Sequence, residues 1–157
     1  MNQINIFTHS LFFTDQKDTK FKEQVKKTNT VNKDSFEKVV NNFIVGLTKN
    51  YNIDKNELFI NNIKYVEDLK DETNLSIVKP NVLFQIIYML DVDEDCGLFC
   101  FERQAEVLIA HTDFVNKFNF IARENTVLSI PFNVDFKLTK NKSDKKRSYI
   151  YFTLDAK

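Results

Sequence analysis

The chain contains only two glycines and two prolines among its 157 residues, and this scarcity limits the turns it can form. Tight turns often need a positive backbone φ, which glycine adopts without steric cost. Asparagine and aspartate are the residues that tolerate this conformation next best, and serine also favours turns through its side chain. We therefore expect the turns of this protein to depend on Asn, Asp and Ser.

One segment has the periodicity of an amphipathic helix. Between residues 34 and 50, apolar side chains recur at spacings of three and four residues: Phe36, Val39, Val40, Phe43 and Leu47. This spacing places them on one face of a helix, which would pack against the rest of the core. Asp34 or Ser35 would cap the start of the helix, and Asn50 or Asn52 would end it.

Short apolar runs elsewhere predict strands, at residues 4–13, 58–60, 63–66, 75–79, 81–92, 98–101, 126–139 and 148–154. The run 81–92 also fits a buried helix, but we favour a strand because a turn-like acidic segment and a second apolar run follow it. Asn61 and Asn62 predict a two-residue hairpin turn. The last two runs predict a terminal hairpin.

Two segments have weaker patterns. Residues 15–33 are rich in lysine and predict a loop or an exposed helix, and residues 103–124 are expected to be partly helical. The chain has no internal repeat, low-complexity linker or break in composition. The sequence therefore predicts an α+β fold in one domain, residues 1–157, in which a mainly antiparallel sheet packs with one or two helices.

Composition and charge limit the classes of function. The 22 basic and 22 acidic residues give a formal net charge of zero, which argues against a sequence-independent nucleic-acid coat protein. The amino terminus lacks the pattern of a signal peptide, and no apolar run is long enough to span a membrane. We expect a cytoplasmic protein. The abundance of residues with AT-rich codons suggests a low-GC bacterium, a phage or a plasmid as the source.

Residues 91–102 resemble the calcium-binding loop of the EF-hand family. Asp91, Asp93 and Asp95 match loop positions one, three and five, and Glu102 matches position twelve, where a bidentate carboxylate is required. The pattern departs from the family at position six, where Cys96 replaces glycine, and at position nine, where Phe99 offers no oxygen. We expect an acidic turn that binds calcium no tighter than about millimolar.

The cysteines and histidines offer two further candidate sites. Cys96, Cys100 and His111 could supply part of a zinc site, but the sequence lacks the second cysteine pair that structural zinc usually requires. His9 and His111 each follow an apolar stretch, an arrangement that resembles the two-histidine phosphoesterases. In that family a hydroxyl residue lies two places after each histidine, where this chain has Leu11 and Asp113. No catalytic residue, metal or cofactor is therefore assigned.

A basic loop is the candidate binding surface, formed by Lys140, Lys142, Lys145, Lys146 and Arg147. A second basic stretch lies at residues 17–27, and acidic residues cluster at 67–72 and 91–95. Such segregated charge suits electrostatic docking to another protein. The sequence therefore predicts a non-enzymatic interaction module, such as an inhibitor, immunity protein or antitoxin. A nucleic-acid-binding module and a small two-histidine phosphoesterase remain the alternatives.

Overall fold

A computed structural model describes residues 1–6, 9–79, 81–102 and 117–157. The helices are α1 (Thr19–Thr28) and α2 (Lys33–Tyr51), and a single 3-10 turn at Lys55–Glu57 follows them. The strands are β1 (Asn2–Ile6), β2 (His9–Asp15), β3 (Leu58–Asp68), β4 (Val82–Asp91), β5 (Leu98–Glu102), β6 (Lys117–Ile121), β7 (Thr126–Pro131), β8 (Phe136–Leu138) and β9 (Arg147–Ala156).

The strands of the described residues form two sheets whose paired strands are all antiparallel. The large sheet has the order β1-β2-β7-β4-β9-β3, and the small sheet has the order β6-β5-β8. From β4 onwards the chain passes between the sheets, so that β7 and β9 lie in the large sheet and β8 in the small one. Two sheets connected in this way form a jelly roll. The α+β prediction is confirmed.

Helix α2 covers the outer face of the large sheet. Its buried face is formed by Phe36, Val40, Phe43, Ile44 and Leu47. The ring of Phe36 meets that of Phe152 on β9 edge to face at 4.8 Å. The predicted helix is confirmed, but its cap differs: the side chain of Asn32 accepts a hydrogen bond from the backbone N–H of Ser35, at 3.0 Å.

A second core fills the space between the two sheets. Ile87, Met89, Leu128 and Tyr149 of the large sheet pack there with apolar residues of the small sheet, including Phe99, Phe101, Phe136 and Leu138. Strands β4 and β9 are central in the large sheet and are buried on both faces. This explains why residues 81–92 have no alternating pattern, and it confirms that they form a strand.

Asparagine and aspartate take the place of glycine in the turns. The non-glycine residues with positive φ in the described ranges are Asn29, Asn52, Asn62, Asp71, Asn81 and Asn125. Two of them end helices: Asn29 follows α1 and Asn52 follows α2, each in the left-handed conformation. The expectation drawn from the scarcity of glycine is therefore confirmed.

The Asn61–Asn62 hairpin prediction is wrong. Residues 58–68 form one continuous strand, β3, and its register against β9 shifts between Asn61 and Lys64. Asn62 has a φ of 51°, as a tight turn would require, but here the positive φ accommodates a β-bulge. The side chain of Asn62 donates a hydrogen bond to the hydroxyl of Thr153 at 2.9 Å, which fixes the bulge onto β9.

Other strand predictions also need correction. Residues 4–13 lie in two paired strands, β1 and β2, and residues 75–79 form no strand although they pack against the inner core. Within the segment predicted to be partly helical, 103–116 lie outside the described residues and 117–121 form β6. The terminal hairpin is absent from the described strand pairings, because β9 pairs with β4 and β3.

None of the helices in the described part of the chain is long and apolar enough to cross a membrane.

Truncation of Phe43 tests the packing of α2 on the sheet. The side chain is 2% exposed, so Phe43→Ala should leave a cavity and lower the free energy of unfolding by about 3–5 kcal/mol. The matched control is Asn42→Ala, because the preceding side chain is exposed. Urea denaturation followed by circular dichroism measures both changes. Equal midpoints for Phe43→Ala and the parent would contradict the proposed packing.

Candidate functional site

A fully buried ion pair lies at one end of the space between the sheets. Both Arg147, at the start of β9, and Asp68, at the end of β3, have 0% side-chain exposure. The Arg147 Nε donates to Asp68 Oδ2 at 2.8 Å, and Nη2 donates to the same oxygen. The Nη1 group donates to the carbonyl oxygens of Cys96 and Thr139. This arginine holds four segments of the chain together.

The burial of Arg147 corrects one part of the predicted binding surface. Lys140, Lys142, Lys145 and Lys146 are exposed, whereas Arg147 points into the protein and cannot contact another molecule. Sequence alone did not distinguish them, because the arginine follows two lysines in one charged run. A role for the four lysines in binding stays a prediction.

The acidic connector and the basic loop pair with each other. Lys142 contacts Asp71 at 3.1 Å, and Lys146 contacts Glu67 at 2.7 Å. Lys70, on the acidic side, contacts Asp144 of the loop at 2.6 Å. The segregated charges that suggested docking to another protein are therefore used, at least in part, within this chain.

The acidic turn after β4 does not present its carboxylates to a common point. Asp91 contacts the ammonium groups of Lys22 and Lys26 on α1, and Asp93 accepts a hydrogen bond from Ser143 Oγ at 2.7 Å. Burial opposes the ionisation of Asp91, but the two lysines outweigh it and lower the pKa of its carboxyl. The carboxylate at the first position of the EF-hand-like pattern is thus already paired with two lysines of the protein.

The cysteines lie in different environments. Cys96 is buried beside the Ala122 carbonyl, and burial raises the pKa of its thiol to about 11. Cys100 is half-buried on β5. His111, the third residue of the suggested zinc set, lies outside the described residues, as does any meeting of His9 with His111. In the described ranges, no three His, Cys, Asp or Glu side chains form a group that could hold a metal ion.

A cleft with mainly apolar walls opens where β2 begins, β4 begins and β7 ends. We call it the mouth cleft; its volume is about 390 Å³, and its lining is His9, Ser10, Tyr51, Ile53, Leu83, Phe84, Pro131, Phe132 and Asn133. The register explains why these residues meet, since Phe84 on β4 lies opposite Pro131 on β7. Helix α2 supplies Tyr51 from its last turn.

Aromatic contacts fix the inner wall of the mouth cleft. The Tyr51 ring lies 4.9 Å from Phe84 and 5.4 Å from Phe12, and its hydroxyl donates to the Ser10 carbonyl at 3.2 Å. Burial raises the pKa of Tyr51, so its hydroxyl stays protonated. The outer wall includes Phe132, whose side chain is 56% exposed. His9 is the only histidine in the described part of the chain.

His9 was a candidate from the sequence, but the residues around it were not. Tyr51, Phe84 and Phe132 come from three distant segments, and each resembles an ordinary core or surface aromatic in the sequence. The exposure of Phe132 is visible only once the end of β7 is placed beside the start of β4. Tertiary structure alone defines this cleft.

No protein-family model matches the sequence, and no curated protein is significantly similar to it. Solved structures share its fold. HygX from Streptomyces hygroscopicus, determined with nickel and 2-oxoglutarate bound, has a TM-score of 0.61 at 9% identity, covering 93% of this chain and 81% of that one. EvdO2 from Micromonospora carbonacea var. aurantiaca has a TM-score of 0.53 at 8% identity, covering 93% and 67%.

A third similar structure is an oxidoreductase of the 2OG-Fe(II) oxygenase family from Burkholderia pseudomallei. Its TM-score is 0.50 at 16% identity, and the match covers 63% of this chain. The chain spans only 45% of the length of that protein. At these identities the similarity concerns the fold alone.

The comparisons contradict the predicted non-enzymatic interaction module. The fold recurs in an oxidoreductase and in a protein determined with nickel and 2-oxoglutarate bound. The partners named for HygX are small: nickel and 2-oxoglutarate. The sequence-based prediction was wrong because it relied on segregated charges, which the fold pairs internally.

Within the described ranges, the residues do not by themselves make up a two-histidine, one-carboxylate iron site, and His111 lies outside these ranges. Non-haem iron oxygenases bind the metal through two histidines and one carboxylate. In the described ranges His9 stands without a second histidine and belongs to no metal-binding group. The buried basic residue of these ranges that could receive a dicarboxylate is Arg147, and Asp68 already neutralises it. No iron or 2-oxoglutarate site is therefore assigned among the described residues.

Replacement of the buried Arg147 should lower stability more than replacement of an exposed neighbouring lysine. Arg147→Ser leaves the Asp68 carboxylate buried without its partner, which should lower stability by about 3–5 kcal/mol. The control Lys146→Ser removes an exposed ion pair and should change stability by less than about 1 kcal/mol. Thermal and urea unfolding measure both. Similar losses of stability in the two variants would contradict the conclusion that the buried Arg147–Asp68 pair stabilises the fold.

Calcium should leave the stability of the protein unchanged, because Lys22 and Lys26 already occupy the Asp91 carboxylate. Thermal unfolding is measured with millimolar calcium and, separately, with a chelator. Parvalbumin-type EF-hand protein serves as the positive control. A calcium-dependent rise of several degrees in the melting temperature would show that the acidic turn rearranges into a metal site.

Proposed function

We propose that the protein acts on a small, largely apolar organic molecule bound in the mouth cleft, with His9 as the group that transfers a proton. The main support for this proposal is that aromatic side chains and the His9 imidazole line the same cleft. His9, Tyr51, Phe84 and Phe132 line a single opening although they come from four separate elements or loops.

The size and lining of the cleft support small-molecule binding. A volume of about 390 Å³ falls in the range of ordinary ligand sites, which are mainly apolar with a few polar groups that orient the ligand. Here the polar groups are His9, Ser10 and Asn133. Ser10 Oγ is held by Asn5 and Gln3 at 3.0 and 2.9 Å, so its strand is fixed at the rim of the cleft.

The position of His9 supports a chemical role. Histidine is the side chain that most readily accepts and donates protons near neutral pH. His9 begins β2, is half-buried and lines the mouth cleft, so a molecule bound there would lie beside it. The similarity of fold to an oxidoreductase supports an enzymatic role of this protein.

Fragment binding observed by saturation-transfer NMR tests the proposal. Aromatic fragments should bind to the parent protein, and Phe132→Ala should abolish most of this binding, because it removes an exposed wall at little cost in stability. The His9→Gln variant should still bind apolar fragments. It should bind phenols and carboxylic acids more weakly, because these groups can form hydrogen bonds with an imidazole. Lys145→Gln, in the distant exposed loop, is the matched control.

Two outcomes would contradict the proposal. One is fragment binding that Phe132→Ala and His9→Gln leave unchanged, which would place the site elsewhere. The other is a rise of several degrees in melting temperature with nickel(II) and 2-oxoglutarate together that His9→Gln removes. That result would assign His9 to a metal site and not to metal-independent proton transfer.

A further inference from the structure

The two sheets leave an opening along one side. The β1–β2 edge of the large sheet and the β6 edge of the small sheet lie on this side, and no strand pairing joins them in the described ranges. They touch through Phe13 and Phe120, whose rings meet edge to face at 5.2 Å. Beside this contact lies a cleft of about 490 Å³, which we call the side cleft.

The floor of the side cleft is apolar and rigidly supported. Ile4, Phe13, Phe118 and Phe120 line it, and all four are partly buried against the core between the sheets. Phe120 also packs on Phe99, with ring centres 6.3 Å apart. A flat apolar or aromatic group could rest on these rings without disturbing the core.

Two side chains of opposite charge line the side cleft. Asp15 ends β2, and Arg123 lies in the turn between β6 and β7; both are exposed. Thr126 lies directly opposite Asp15 in the sheet, and its N–H bonds to the Arg123 carbonyl at 3.3 Å, which brings the two charged residues to one rim. Within the described residues, neither forms an ion pair.

We propose that the side cleft binds a small zwitterion with an apolar side chain, in the chemical class of a free aromatic α-amino acid. The carboxylate of the ligand would pair with Arg123, its ammonium group with Asp15, and its side chain with the rings of Phe13, Phe118 and Phe120. Arginine suits a carboxylate because its guanidinium group can donate two parallel hydrogen bonds.

The side cleft is separate from the mouth cleft. His9 and Asp15 lie at opposite ends of β2, and a strand of this length spans about 20 Å. The apolar floor and both charges of the side cleft lie outside the lining of the mouth cleft. Each proposed site can therefore be tested, and contradicted, without affecting the other.

Three probes of matched shape test the side cleft by NMR titration of the intact chain. L-phenylalanine should bind more tightly than phenylacetate, which lacks the ammonium group, and than phenethylamine, which lacks the carboxylate. Each missing charge should weaken binding about tenfold, as expected for a charge-assisted hydrogen bond. The backbone signals that shift should include those of Phe13 and Phe120.

Two substitutions assign the charges. Asp15→Asn should weaken L-phenylalanine about tenfold and leave phenylacetate unchanged, whereas Arg123→Gln should weaken phenylalanine and leave phenethylamine unchanged. Both side chains are exposed, so neither change should unfold the protein. Asp144→Asn, in the distant basic loop, is the control. Absence of binding, or binding that neither substitution alters, would overturn the proposal.

Discussion

The buried ion pair between Arg147 and Asp68 is the interaction on which the closed end of the jelly roll depends. One guanidinium group joins the start of β9 to the end of β3, and it also donates hydrogen bonds to the carbonyl oxygens of Cys96 and Thr139. Asp68 Oδ1 accepts from the Asn74 backbone at 2.6 Å, which fixes the segment that follows β3. A buried charge requires such complete pairing, since an unpaired one would be strongly destabilising.

Segments of opposite charge meet beside this buried pair. The connector 67–72 and the loop 140–147 lie close enough for Lys142 and Lys146 to pair with Asp71 and Glu67. The mouth cleft lies where β4 begins and β7 ends, and the side cleft lies between the β1–β2 edge and β6. Residues of the charged loop line neither of these two clefts.

Similarity in fold does not determine which side chains form a functional site. A jelly roll is held together by its inner apolar layer, here formed by residues such as Ile87, Phe99 and Phe101, and this layer does not depend on any catalytic group. Fold therefore persists while sites change. At 8–16% identity the similar structures share the fold, and this similarity does not fix which residues bind a ligand.

The sequence by itself determined helix α2 and the use of Asn and Asp in turns, because each depends on local spacing or local backbone preference. Strand β4 was favoured over a helix only by the turn-like segment and the apolar run that follow it. Tertiary structure decided the rest. The positive φ of Asn62 serves a hairpin or a bulge equally well, and only pairing with β9 selected the bulge. Likewise, the sequence does not distinguish Arg147 from its lysine neighbours. Only the structure shows that Arg147 is buried and donates to Asp68, 79 residues away. The clefts also join distant segments, and no local pattern records which strand ends will meet.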